Sequence, residues 1–330
     1  MATYPYQLTI LTAQGETVDI TQRVSTLSWS GSIRQVSRQL DTTLAMPNDG
    51  RTPPMDIGLG SEVRLVVDGS SRLLGNVVGR EKRTGASTME LTALDRGRFL
   101  VGNEGWYIFN GAQPATAVRS LCADFGVEVG ELAAPAVTVS RKFPGVALSK
   151  IIDTLYTMAG EQDGRRYLAR FDGQGRLEVV EKPQNAVLEI APGKNLQTQT
   201  VSEDISSLIN RVAIYTETGQ LVRTVDDAES SALYGQFQRV LTQREGVDAG
   251  AEAAALLEDN GVQQNITVEC LGDPSLISGN AVLLRDNSTG VTGLCWIDSD
   301  THTFKNGLYF CKLGLNFRNL MNETSAGQAD

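Results

Sequence analysis

Two short stretches, Gly60-Ser61-Glu62-Val63-Arg64-Leu65 and Gly279-Asn280-Ala281-Val282-Leu283-Leu284, decide how this chain is read. In each, a glycine stands three residues before a valine that opens an apolar strand. The likeness continues downstream. Gly75 leads into Val77 and Val78 after the first stretch, and Gly293 leads into Cys295 and Ile297 after the second. Met89, Leu91 and Ala93 then close the first block as Cys311, Leu313 and Leu315 close the second, the latter reached through an Asn306-Gly307 hairpin turn. Order and spacing match better than residue identity, and they predict two copies of one β unit with the same strand order.

Outward from the first block, alternation of apolar and polar residues predicts strands over Gln7 to Leu11, Val24 to Trp29, Leu40 to Met46, Val63 to Val67, Leu74 to Val78 and Met89 to Leu94. Asn48-Asp49-Gly50 and Pro53-Pro54 mark a loop between two of them. This is an all-β unit, read as a small barrel. The period then changes. Pro114 suits a first helical position, Val118, Leu121, Cys122 and Phe125 recur at helical spacing, and Gly126 stands where a left-handed cap falls. A second helix places Leu148, Ile151, Ile152, Leu155, Met158 and Ala159 on one face, with Gly160 and Gly164 beyond it. A hairpin follows, from Tyr167 to Phe171 and Leu177 to Val180, turning at Asp172-Gly173-Gln174-Gly175. Strand patterning resumes near Val187 and at Val212 to Tyr215, where Thr218-Gly219-Gln220 turns into Leu221 to Val225. An alanine-rich helix from Ala249 to Leu257, with Asp248 as N-cap and Gly261 past its end, interrupts this second β region. The expected organisation is a first β-barrel domain over 1–105, an α+β module over 106–185, a second barrel over 186–322 with an inserted helix near 249–259, and a frayed tail over 323–330.

Composition narrows the function. At roughly 150 residues per domain, 330 residues allow about two domains with ordinary cores. Lys and Arg number 29 against 39 Asp and Glu, so the net charge is -10 with the single histidine neutral. A chain this acidic has no bulk attraction for nucleic acid or anionic membranes. Cys122, Cys270, Cys295 and Cys311 lack the paired spacings of zinc or redox sites and read as buried, reduced thiols. MATYPYQLTIL at the start has no secretory pattern, and no run of about 18 apolar residues occurs, so the expectation is a soluble protein made in a cytoplasm.

Chemistry is sparse. His302 is the one histidine, and in Asp298-Ser299-Asp300-Thr301-His302 strand alternation would set Asp298, Asp300 and His302 on one face. Such a face could hold a metal or serve a carboxylate- or metal-dependent cell-wall hydrolase. A solvated strand and turn before the hairpin is the simpler reading. No GxxxxGK[ST] or GxGxxG joins a strand to a helix, and Lys82-Arg83, Arg141-Lys142 and Arg165-Arg166 are isolated basic pairs of the kind found on solvated loops. Trp29, Trp106 and Trp296 read as core residues. The expectation is no catalytic residue, no cofactor and no metal, and an assembly role.

Several strings resemble, in order, the baseplate central hub family of contractile phage tails, defective prophages and phage-tail-like bacteriocins. They are Trp29-Ser30-Gly31 with Gln35-Val36-Ser37-Arg38 and Leu40, Gly105-Trp106-Tyr107-Ile108-Phe109, Arg141-Lys142-Phe143-Pro144-Gly145-Val146, Leu233-Tyr234-Gly235, and Asp298 through Gly307. The resemblance implies a mainly β fold with an α+β insertion, two tube-like barrels per chain, and a ring-forming homotrimer of pseudo-sixfold symmetry. Such a ring joins a sixfold tail tube to a threefold spike and initiates tube assembly. The partners implied are a second and third copy of the chain, a tail tube or tube-initiator protein, a central spike, and baseplate wedge or LysM-type inner baseplate proteins. A tape measure protein or DNA would pass the lumen without specific binding, repelled by acidic walls. The resemblance implies a virion baseplate component assembled in the bacterial cytoplasm, without membrane contact and without the peptidase or lysozyme domain fused to some hubs. Under it, His302 and its aspartates become a turn feature of the second barrel.

Overall fold

The structure, a computed structural model, describes residues 5–12, 15–46, 55, 57–243 and 249–317. Asn48-Asp49-Gly50, Pro53-Pro54, Asp248 and the tail 323–330, all given roles above, lie outside the described residues. The chain divides into two compact units, one of Met1–Gln199 with Thr267–Asp330 and one of Thr200–Ile266.

The first β block comprises β1 (Tyr6–Leu11), β2 (Thr17–Asp19), β3 (Val24–Ser32), β4 (Gln35–Ala45), β5 (Glu62–Val67), β6 (Ser70–Lys82) and β7 (Thr88–Asp95). Period-two alternation explains them: on β4, Val36, Arg38, Leu40, Thr42 and Leu44 are buried while their neighbours are not. β5 and β6 are joined at Asp68-Gly69, both with positive φ (49° and 74°). That is the mirror-image turn whose twist matches a hairpin, and Asp-Gly tolerates it. A short helix, α1 (Arg98–Gly102), follows.

The α+β module holds β8 (Glu104–Ala112), α2 (Pro114–Asp124), β9 (Val129–Leu132), β10 (Val139–Ala147), α3 (Leu148–Asp163), β11 (Tyr167–Phe171) and β12 (Leu177–Glu181). Pro114 opens α2, and Gly126 past its end has φ 63°, as the spacing predicts. Gly160 lies inside α3 and not beyond it; the left-handed cap is Gly164, whose N–H bonds to the Gly160 carbonyl. Val118, Leu121, Ile151, Ile152 and Leu155 meet Phe143, Phe171 and Leu177 in one core.

The second β block begins with β13 (Leu188–Ile190) and β14 (Leu196–Asp204). The smaller unit follows: β15 (Arg211–Thr216), β16 (Leu221–Asp226), α4 (Ala228–Tyr234), β17 (Gln238–Gln243) and α5 (Gly250–Asp259). Its sheet runs β16-β15-β17, with Val212 and Ile214 of β15 packed on Ala249 and Ala253. The chain then forms β18 (Gln263–Leu271), β19 (Ala281–Arg285), β20 (Thr292–Lys305) and β21 (Leu308–Asn316).

The two blocks repeat one topology. The first runs β3-β4-β7-β6-β5-β1 and the second β14-β18-β21-β20-β19-β13. Details agree. The Gly60 N–H donates to Val77 O and Val77 N–H to Ser61 O; the Gly279 N–H donates to Ile297 O and Ile297 N–H to Asn280 O. Both long strands carry a bulge at the same place, Val77/Gly79 and Ile297/Ser299. One predicted equivalence is shifted: Val63 pairs with Gly75 as Val282 pairs with Cys295, so Gly75 corresponds to Cys295 and not Gly293. The last strands differ too, β1 lying antiparallel to β5 and β13 parallel to β19.

The blocks do not close into two separate barrels; among the described residues no sheet closes on itself. The cause is the length of β20. Its first half pairs with β19, and its second half, Ser299 to Lys305, pairs with β3 from Ser32 to Thr26. One repeat thereby covers the edge of the other, and a single 13-stranded sheet results.

Candidate functional site

Where β20 meets β3, the seam contains a buried polar network. Asp300 stands opposite Gly31 and His302 opposite Trp29. Arg38, inward on β4, passes over Gly31 to reach Asp300; a Cβ at position 31 would overlap the guanidinium. Arg38 Nη1 donates to Asp300 Oδ1 at 3.1 Å and Nη2 closes a second bond to Oδ2. The Ser278 N–H adds a bond to Oδ1 at 2.6 Å. The Arg38 and Asp300 side chains are 7% and 0% exposed.

His302 Nε2 lies 3.1 Å from Leu276 O and 3.2 Å from Asp300 Oδ2, both acceptors, so the ring proton is assigned there. Nδ1 is then the acceptor for the Tyr309 hydroxyl at 2.8 Å, with Cys311 Sγ at 3.1 Å. Trp29 is enclosed by Arg38, 4.3 Å from its ring centre, and by the His302 ring at 4.4 Å.

Burial pushes the Asp300 carboxyl up, but Arg38 and the His302 hydrogen bond outweigh it and hold it down at about 2. Burial holds His302 below its ordinary value, against the pull of Asp300, so the ring is neutral. Nearby, Asp95 at the end of β7 is pushed up to about 6 by burial despite N–H bonds from Gly97 and Arg38. Burial raises Asp298 to about 6 as well. With both imidazole nitrogens engaged and the carboxylate committed to arginine, the network holds the strands together, and Arg38 Nε and Trp29 Nε1 are its buried atoms without a hydrogen-bond partner among the described residues.

The expectation of a solvated strand and turn is therefore overturned: Asp300 and His302 are mid-strand and buried. So is the shared face. The bulge between Ile297 and Ser299 shifts the alternation by one. Cys295 and Ile297 point inward before it, Asp300, His302 and Phe304 after it, and Asp298 sits at the break. Among the described residues no group of His, Cys, Asp or Glu could hold a metal. Sequence reasoning assigns no role to Arg38, although an arginine at an inward position between Val36 and Leu40 marks a buried charge in want of a partner.

The basic pairs are on the surface. Arg83 pairs with Glu81 and Arg165 with Glu181, and Lys142 lies over Trp106. Trp29 is core as expected, but Trp106 is 60% exposed on β8 beside exposed Ile108. Trp296 is half-buried under Lys182. All four cysteines are free and buried.

A model of the YQBQ-like family matches residues 27–316, from within β3 to the end of β21. The chain belongs to the YQBQ-like family. Among curated proteins, this YQBQ-like chain is 23% identical over 307 residues to the phage-like element PBSX protein XkdQ of Bacillus subtilis strain 168, covering 90% of this chain and 93% of that one. Among solved structures it is similar to the prophage MuSo2 43 kDa tail protein of Shewanella oneidensis, with TM-score 0.73, 14% identity, and coverage of 96% and 99%. It also shares its fold with the c3393 protein of E. coli, with TM-score 0.54, 10% identity, and coverage of 91% and 77%. That protein is described as a component of the type VI secretion system with structural similarity to the T4 bacteriophage tail proteins gp27 and gp5.

Proposed function

We propose that this chain is a structural protein of a phage-type tail, and that its role is the central hub of a contractile-tail baseplate. The observation that carries the reading is the six-strand repeat, present twice in the same order and joined edge to edge through β20 and β3. A homotrimer of such chains supplies six equivalent β units. It can match a sixfold tube on one side and a threefold spike on the other, and offers the tube its first ring. The domain organisation is then two tube-like units, over 1–105 and over 186–322, with an α+β module over 106–185 between them. The second unit is interrupted by the compact insertion Thr200–Ile266, which holds three strands and two helices and not a helix alone. The tail proteins named among the structural relatives support the same reading.

The likeness to a protein of the PBSX phage-like element supports a second setting, the equivalent hub of a tail-like bacteriocin or injection particle. In either, the partners are the tube or tube-initiator protein, the spike, and neighbouring baseplate proteins. The mechanism is geometric. Light scattering behind a sizing column, with and without the spike protein, tests it. A species near three times 35.6 kDa is expected, and a stable dimer or a monomer that persists with spike present refutes the hub.

A further inference from the structure

The two repeats assign the contact that joins one chain to the next. Within the chain, the edge of β3 is covered by the second half of β20. The strand equivalent to β3 is β14, which ends the sheet with its outer edge unpaired by any described strand. The strand equivalent to β20 is β6. Its stretch Gly79–Lys82 pairs with β7 on one side, while β5 pairs only as far as Asn76 on the other. We infer that β14 of one copy pairs antiparallel with Gly79–Lys82 of a second copy, as β3 pairs with β20. The inference rests on the self-assembly of the hub reading and names the surface through which it occurs.

Register follows from the hydrogen bonds. Gly272 N–H donates to Tyr309 O as Met46 N–H donates to Ser87 O, so Gly272 corresponds to Met46 and, eight residues back, Gln264 to Arg38. The buried residues agree, Ile266 with Leu40, Val268 with Thr42 and Cys270 with Leu44. Leu271 N–H donates to Asn195 O, which sets Asn195 at Arg23, so the nine-residue strands β14 and β3 align end to end. Glu203 then falls at Gly31. The Gln264 carboxamide donates to Glu203 at 3.1 Å, just where Arg38 lies over Gly31.

On the receiving strand, the shared bulge sets Gly79 at Ser299 and Arg80 at Asp300. Arg80 pairs with buried Leu91 as Asp300 pairs with buried Leu313, so both point to the same face. The contact between chains thus brings Arg80 of one copy to Glu203 of the next. The receiving strand then carries the base and the docking strand the acid, the reverse of Asp300 and Arg38, with Glu203 on the edge strand itself where Arg38 reaches over Gly31 from the strand behind. Both groups are exposed in the single chain, where Arg80 Nη1 donates to Ile57 O at 2.7 Å and Glu203 accepts from Gln264.

The test is charge reversal with a register check, read by light scattering. Arg80→Glu and Glu203→Arg should each raise the concentration of half-dissociation at least about tenfold, and the double variant should recover most of the loss. Because Ser299 pairs with Ser32, Gly79→Cys mixed with Asp204→Cys should form a disulfide between chains. A Cβ at position 79 meets only Thr92 at ordinary contact distance, and Gly79→Cys mixed with Gln197→Cys is the out-of-register control. Assembly intact in both reversals, or no disulfide in the assembled protein, overturns the strand pairing while leaving the trimer in place. A wild-type chain that is monomeric at every concentration, with or without spike, overturns the hub reading itself.

Discussion

Removing the Asp300 carboxylate isolates the charge that matters most to the seam. In Asp300→Ala the Arg38 guanidinium stays where the β4 backbone puts it, buried to 7% exposure, without its bidentate partner and with Asp95 as the remaining carboxyl that feels its charge. Breaking a buried pair from one side costs about 3–5 kcal/mol, because the surviving charge is not solvated. The downward titration of Asp300 has the same sign. A fall from 3.8 to about 2 corresponds to roughly 2 kcal/mol in favour of the ionised, paired form. Urea unfolding followed by tryptophan fluorescence reports directly, since Trp29 lies between Arg38 and His302. At an m-value of about 3 kcal/mol/M, the midpoint should fall by about 1 M or more. Arg38→Met with Asp300→Leu should restore most of it, since apolar replacement of a buried pair is often neutral or stabilising by about 1–4 kcal/mol. A loss below about 1 kcal/mol for Asp300→Ala, or a double variant no more stable than the single, refutes the argument that the pair locks the seam.

Three further outcomes are expected. Gly31→Ala places a Cβ inside the Arg38 guanidinium and should cost about 1–3 kcal/mol, most of which should vanish in an Arg38→Ala background when both are measured by urea unfolding. Asp95, raised from 3.8 to about 6, binds its proton more tightly folded than unfolded, so its contribution makes stability fall as pH rises from about 4 to 6; Asp95→Asn should flatten the melting temperature across that window. Asp300, held down at about 2, acts oppositely, its contribution being present above 3.8 and lost as pH falls toward 2. Gly307→Ala should cost about 1–2 kcal/mol in thermal unfolding, because the φ of 76° in the Asn306-Gly307 turn suits only a residue without a Cβ.

Much of the fold is legible because its signals are local. The Met89, Leu91, Ala93 and Cys311, Leu313, Leu315 alternations lie on β7 and β21, and Pro114 and Gly126 bound α2. The internal echo survives as equal strand order with matched hydrogen bonds, corrected by two residues at Gly75. What the pattern misses has a physical reason. β14, LQTQTVSED, is an edge strand with almost nothing to bury, so hydrophobic periodicity assigns it no element. The seam is hidden because one extra residue, Asp298, reverses the facing of everything after it. A bulge leaves no mark in hydrophobic periodicity until the partner strand is known. Arg38 is legible as an anomaly and not as a site, for its partner lies 262 residues away.

If β14 of one copy pairs with β6 of the next as inferred, the exchange of charge between the two seams lets an internal duplication be put together without error. Two sister repeats share their backbone pairing pattern, so either edge strand could in principle dock on either receiving strand. β14 of one copy placed on β20 of another would set Glu203 against Asp300, two carboxylates at a buried position. β3 placed on β6 would bring Arg38 to Arg80. Like charges brought together across an interface cost several kcal/mol, whereas both correct pairings join opposite charges. Specificity therefore comes from what the wrong pairings would suffer. Only alternation of the two seams leaves every charge paired, β20 on β3 within a chain and β6 on β14 between chains. A chain carrying Arg38→Glu with Asp300→Arg keeps its internal pair but now presents the polarity of the outer seam on both. The guanidinium then carried at position 300 would meet Glu203 of a neighbour before β3 covers β20, so refolding this variant from urea should yield open-ended or mixed assemblies, visible as broadened mass in light scattering. Its urea stability should fall because the Ser278 N–H and His302 Nε2–H lose their carboxylate acceptor. A sharp single species of wild-type mass would show that backbone register alone selects the seams.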